Sequence, residues 1–251
     1  MPQIRFSARS GSMGGTLTGV PAFPGDSFRL GIPEAIGDAV RAVWFDKIKP
    51  EWNELTDGVW RSVGRLEGEL SYTATVTPHD DTVDVHLSLK NESDRTWWQG
   101  MAFNCFNCGE SVAVRDFECV RHWVRTQGRF RRLVEIPRKY GPRPTVQLYS
   151  VEGAPDAKGI PFVAGFQATP DVILQGWLAI QSHDGQRLVA VASRPTLFLF
   201  QNMEYSCIHA SPGFGELGPG ETGEALTRLY FVRSSVEEWH QRMQEEFTRD
   251  I

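Results

Sequence analysis

Glu204 and His209 stand five positions apart in Phe198-Leu-Phe-Gln-Asn-Met-Glu204-Tyr-Ser-Cys-Ile-His209. A carboxylate and an imidazole at the end of an apolar strand are the pair that general acid–base catalysis uses. Both reach one cleft if the strand bends at Ser206 or Cys207. With Phe198, Phe200 and Tyr205 around it, Glu204 is expected to have a raised pKa, which suits a base near neutral pH. The competing reading makes Glu204 a solvated strand residue and His209 a hydrogen-bonded turn former before Pro212.

Other side chains could complete such a site. His122 alternates with Arg121 and Trp123, and is either a core histidine or an acid supplied from a second strand. In Phe103-Asn104-Cys105-Phe106-Asn107-Cys108, the Asn104 amide offers both donor and acceptor to a ligand hydroxyl, or satisfies backbone groups at a bulge. The Cys-x-x-Cys in the same run suggests a zinc half-site, but a structural site needs a second pair at knuckle spacing. Only Cys119, Cys207 and His209 are available for it, so buried thiols and no cofactor are expected. Metal chemistry through His122, Glu204 and His209 stays open as a third hypothesis.

Arg115 to Arg143 is strongly basic within an acidic chain, and Arg115 and Arg121 are its candidate anion-binding forks. Such a run is also what one solvated face of a hairpin looks like. Of the neighbouring Trp97 and Trp98, one should reach outside the core, because successive strand residues face opposite ways. Trp98 and Tyr205 join the candidate binding residues as flat surfaces of the kind that stack on pyranose rings or nucleobases.

The elements that must position these groups are mostly strands. Leu70, Tyr72, Ala74 and Val76 alternate, and Val83, Val85, Leu87 and Leu89 repeat the pattern after Pro78-His-Asp-Asp81, which predicts a hairpin with one buried face. Strands are also predicted over 98–106, 118–126, 129–135, 145–151, 172–182, 187–193, 196–203 and 223–233. So many short strands imply an all-β fold, a large antiparallel β-sandwich. Residues 1–251 read as a single domain. One α-helix is expected at about 235–248, with a Ser234 or Ser235 cap, Glu237 or Glu238 closing a capping box, and Val236, Trp239, Met243 and Phe247 on one face. A short helical turn is predicted near Pro33–Ala39, and residues 152–171 form a Gly/Pro-rich connection of the kind that carries or covers a site.

The chain has 251 residues, a formal net charge of -5 and 41% hydrophobic side chains, the composition of a globular protein. The acidic balance argues against a nucleic-acid partner, which requires a basic surface. No run reaches the roughly 18 apolar residues of a membrane helix, and the N-terminal residues lack the apolar core of a secretory signal. A cytoplasmic location with reduced thiols is therefore expected, and pairing of edge strands makes a homodimer plausible.

Two segments resemble the galactose-mutarotase-like proteins, the β-supersandwich group that includes the aldose epimerases. Asp84-Val-His-Leu-Ser-Leu-Lys-Asn91-Glu-Ser-Asp94 followed by Met101-Ala-Phe-Asn104-Cys-Phe-Asn107 looks like that family's strand, Asn-containing turn and next strand. Glu204, Leu217-Gly-Pro-Gly-Glu221 and Ala225-Leu-Thr-Arg-Leu-Tyr-Phe231 look like its catalytic glutamate, Pro-Gly-Glu turn and closing strand. The chain departs from the family where the first catalytic histidine is expected, having Phe103, Asn104 or Cys105 there. The resemblance implies a supersandwich and a small carbohydrate or sugar-like ligand. The implied enzyme would move a proton on a sugar, sugar acid or glycoside by epimerisation, ring opening or elimination. Glu204 would be the base, His209 or His122 the acid, and Asn104 with Arg115 or Arg121 the binding groups. The alternative is a non-catalytic module of the same fold that holds a glycan or an anionic ligand.

Overall fold

The structure, a computed structural model, describes residues 3–44, 46–56, 58–138, 143–161 and 168–249. In chain order the strands begin with β1 (Arg5–Ala8), β2 (Gly14–Thr18), β3 (Phe28–Asp38), β4 (Val43–Trp44), β5 (Glu51–Glu54) and β6 (Trp60–Leu66). Next come β7 (Leu70–Pro78), β8 (Thr82–Asn91), β9 (Trp97–Asn107), β10 (His122–Thr126), β11 (Arg129–Arg132) and β12 (Val146–Val151). The last are β13 (Ala168–Leu174), β14 (Trp177–Gln181), β15 (Leu188–Arg194), β16 (Thr196–Asn202), β17 (Cys207–Leu217) and β18 (Thr222–Val232), followed by α1 (Val236–Arg249).

Two sheets face each other. The first runs β1-β2-β3-β9-β17-β16-β12-β13, with β4 added beside β3, and the second runs β11-β10-β14-β15-β18-β8-β7-β6-β5. All pairs are antiparallel except β12 with β13. The expected all-β sandwich is therefore present, and β1 to β3 complete its first sheet.

Alternation builds the core between the sheets. Along β9, Ala102 and Phe106 point into it, while Met101 and Phe103 belong to a second cluster on the outer face of the first sheet. Phe28, Phe106 and Phe231 meet across the sandwich at centroid distances of 5.0 to 5.6 Å. The predicted hairpin is β7–β8, with Leu70 opposite Asn91 and Pro78 opposite Val83.

The helix lies on the outer face of the second sheet, where Val236, Trp239 and Met243 pack on Trp177, Ala190 and Tyr230. Its capping box is formed by Ser235 and Glu238: Glu238 N donates to Ser235 Oγ at 3.2 Å, and Ser235 N donates to Glu238 Oε2 at 3.1 Å. These bonds satisfy two of the donors that the first turn leaves open.

Three expectations about elements are corrected. The predicted turn near Pro33–Ala39 is strand, the second half of β3, with Ala35 and Ile36 buried on its opposite faces. Burial on both faces gives an apolar spacing that imitates a helix. The single strand expected at 172–182 is two, β13 in the first sheet and β14 in the second. The chain crosses at Gly176, where a Cβ would come within 2.6 Å of Thr196 Oγ1. Of the strand expected at 129–135, only Arg129–Arg132 is extended, and Leu133–Glu135 is a 3₁₀ turn. In the 152–171 connection, Ala157 and Ile160 fold onto the outer face of the first sheet, and residues 162–167 lie outside the described residues.

Candidate functional site

The outer face of the first sheet gathers chemistry where β3, β9 and β17 run side by side. Cys207 opposes Asn107 and Ile208 opposes Phe106, a register that brings Cys105 next to His209. On the other side of β9, Cys105 opposes Gly31 of β3. Cys105, Cys207 and His209 present one ligand-type atom each, all within 4.8 Å of one another.

The His209 ring is stacked on Phe103, with centroids 4.4 Å apart and planes 16° apart, and meets the edge of Phe200 at 4.8 Å. It is 2% exposed. Burial pushes its pKa down to about 3, opposed by a hydrogen bond to the Asn104 backbone, so the ring is neutral at pH 7. Its Nδ1 has no hydrogen-bond partner.

Glu34 stands beside this group. Burial raises its carboxyl above the ordinary 4.5, opposed by a hydrogen bond with Cys105. Gly31 makes room for it, since a Cβ there would lie 2.5 Å from Glu34 Cγ. A cavity of about 240 Å³ opens at this point, and its lining includes Arg29, Gly31, Glu34, Cys105 and Asn107. Asn107 Oδ1 accepts from Gly109 N at 2.9 Å, and Arg29 pairs with Glu110.

The residues expected to form the site are dispersed. Glu204 lies in the exposed turn between β16 and β17, where Arg143 Nη2 donates to it at 2.7 Å and Thr145 Oγ1 at 2.5 Å. These two contacts hold its carboxyl down at about 2, the reverse of the expected rise. The flanking aromatics do not shield it: Phe198 and Phe200 are buried in the outer cluster, and Tyr205 is 54% exposed. Because His209 is sealed and Glu204 stands in solvent, the two do not open onto one pocket.

His122 is fully buried in the sandwich, with Nδ1 2.9 Å from Asp116 Oδ2. Burial lowers its pKa against the pull of Asp116, the behaviour of a core histidine. Asn104 points inward, where its Nδ2 donates to Thr227 Oγ1 at 3.0 Å, on the opposite face of β9 from His209. It is therefore no partner for a ligand on the outer face. The trio His122, Glu204 and His209 does not assemble as a ligand set.

Arg115 and Arg121 both line another cavity, of about 680 Å³, which also includes Phe117, Val120 and His183. The Arg121 guanidinium is occupied there, donating to the carbonyls of Gln181 and Arg115 at 2.5 Å each. It ties loops together rather than receiving an anion. Elsewhere in the basic segment, Arg132 lies over Trp123 at 3.7 Å and Arg131 pairs with Glu135 at 3.2 Å. Lys139 lies outside the described residues. Trp98 is 39% exposed on β9 and Trp97 is buried, as their alternation requires.

Sequence reasoning missed Glu34 and the pairing of Cys105 with Cys207. Glu34 sat in a segment read as helical. The cysteine pairing was partly accessible, because the period of two in Phe103-Asn-Cys-Phe-Asn-Cys108 already puts Phe103 and Cys105 on one face and Asn104 on the other.

No protein-family model and no curated protein matches the chain. Solved structures do. A galactose mutarotase-like protein from Lactobacillus casei ATCC 334 is 9% identical, with 91% of this chain and 100% of that one covered and a TM-score of 0.48. The aldose epimerase homologue from C. elegans is 9% identical, with 76% and 71% covered and a TM-score of 0.42. An alpha-mannosidase from Enterococcus faecalis V583 is 9% identical, with 96% of this chain but 30% of that one covered and a TM-score of 0.52. The chain shares its fold with a portion of that alpha-mannosidase, and at these identities the likeness is one of fold alone. Among the described residues, no helix is long and apolar enough to cross a membrane.

Proposed function

We propose that this protein takes a monosaccharide-sized sugar or sugar acid into the cleft on the outer face of its first sheet, and that Glu34 exchanges a proton with it. The carrying observation is a carboxyl whose pKa is raised by burial at the wall of an open cavity, the environment of a general acid or base. Arg29 and Asn107 supply hydrogen-bonding groups to the same cavity. About 240 Å³ is below the roughly 300–1,000 Å³ of drug-sized ligand pockets, which favours a single small ring. The sugar class is supported by the resemblance at Asn91 and Leu217–Glu221 and by the shared fold with the alpha-mannosidase.

Glu34 thereby takes the role that the sequence assigns to Glu204, whose clamped carboxylate is too weak a base. As a base, Glu34 would give a rate that rises with pH through a pKa above the ordinary 4.5. The test compares wild type with Glu34→Gln on a panel of monosaccharides and sugar acids, reading affinity by calorimetry and proton exchange by NMR. Retained affinity with exchange reduced by about 10²–10⁴-fold is expected. Unchanged exchange in Glu34→Gln, or wild type that binds without any exchange, would overturn the acid–base role.

A further inference from the structure

Cys105, Cys207 and His209 are the described residues in which thiol and imidazole atoms converge, and the acid–base reading above does not use their convergence. We propose that they form a binding site for a thiolate-preferring divalent cation of the zinc type.

The geometry is close to what such a site needs. Zinc holds sulfur at about 2.3 Å and imidazole nitrogen at about 2.0–2.1 Å, so tetrahedral ligand atoms lie about 3.6–3.8 Å apart. The three atoms here already fall within 4.8 Å of one another, on neighbouring strands in the middle of a sheet. Two thiols and one imidazole are a donor set that selects zinc over magnesium or calcium, which prefer oxygen.

The imidazole supplies a separate observation. A buried nitrogen without a partner is costly, yet His209 Nδ1 has none in a ring that is 2% exposed. Access is available from the Glu34 cleft, whose wall includes Cys105.

A thiol must give up its proton to bind the cation. Binding therefore releases protons to solvent and weakens as pH falls. This preference reverses the expectation of inert buried thiols, which rested on knuckle spacing along the chain. Two strands supply the ligands through their register instead. The proposal stands apart from the sugar reading, because cation binding is measured without any sugar.

The experiment titrates the fully reduced full-length chain with cobalt(II) in metal-free buffer and follows the thiolate-to-cobalt absorption band, then displaces cobalt with zinc. One equivalent per chain is expected. Cys105→Ser and Cys207→Ser should each weaken binding by more than about a hundredfold, while Cys119→Ser, altered inside the sandwich, should leave it unchanged. Within the wild type, bound zinc should slow alkylation of Cys105 and Cys207 relative to Cys119, read by peptide mass spectrometry, and this arm needs no variant to fold. Absence of a stoichiometric band, its survival in the Cys105→Ser/Cys207→Ser double variant, or equal alkylation of all the thiols with and without zinc would overturn the site.

Discussion

Burial decides the charge of the imidazole at position 209. With its pKa at about 3 in the folded chain and an ordinary value of 6.5 when unfolded, only the unfolded form takes up a proton between those limits. Folding stability contributed by this ring is therefore complete above about 6.5 and is lost as pH falls toward 3. Each pH unit in that window costs about 1.4 kcal/mol. Between pH 7 and pH 5, wild type should lose about 2 kcal/mol more than His209→Gln in urea denaturation, and equal losses would refute the buried neutral ring. Glu204 follows the same pH direction, because its pKa is also lowered, but with a much weaker consequence. Its contribution is present above 4.5 and fades as pH falls through about 2, and its exposure to solvent discounts it. Glu204→Gln should change stability by no more than about 1 kcal/mol in the same measurement. Both residues stood out in the sequence by type and spacing, but the shielding that sets their pKa values comes from strands distant in the chain. Phe103 covers His209 from β9, and Arg143 and Thr145 reach Glu204 from the segment before β12. No local pattern could supply those partners.

Elements were legible where a single face is buried. The β7–β8 hairpin and α1 have that property, and their periods of two and of 3.6 gave them away. Its capping box makes α1 testable: Ser235→Ala should cost about 1 kcal/mol in thermal or chemical unfolding, and no loss would argue against the cap. Strands packed on both faces were the hard ones. β3 imitated a helix, and β17 was read as a strand end running into a turn although it continues from Cys207 to Leu217. Its Ser-Pro-Gly-Phe-Gly interior looks like loop chemistry, yet Gly213 and Gly215 sit at register shifts against β9. A residue of any other type at 213 would come within about 3.0 Å of Gln99 Nε2. Close approach to neighbouring side chains, rather than turn formation, accounts for glycine there.

For the molecule as a whole, both sheets contribute to one interior, with Phe28 and Phe106 from the first meeting Phe231 from the second. Phe231→Ala should cost about 3–5 kcal/mol, because the large cavity it leaves is bounded by rings on both sheets. Circular dichroism and tryptophan fluorescence should report the same single transition in wild type and in this variant. Two separated transitions would mean that the sheets melt independently, contrary to the shared interior. Composition and strand count were sufficient for the sandwich. The order of strands within each sheet was not available, because β9 pairs with β3 and β17 across long stretches of chain.

The stretch from Met101 to Asn107 works like a ribbon printed with different messages on its two sides. Ala102, Asn104 and Phe106 answer to the interior, whereas Phe103 and Cys105 answer to whatever occupies the outer cleft. A saturation scan of this segment under two selections, one for folded abundance and one for cation retention, should separate into odd and even positions. Deleting one residue there would exchange the two scripts at a stroke, moving Cys105 indoors and Asn104 out.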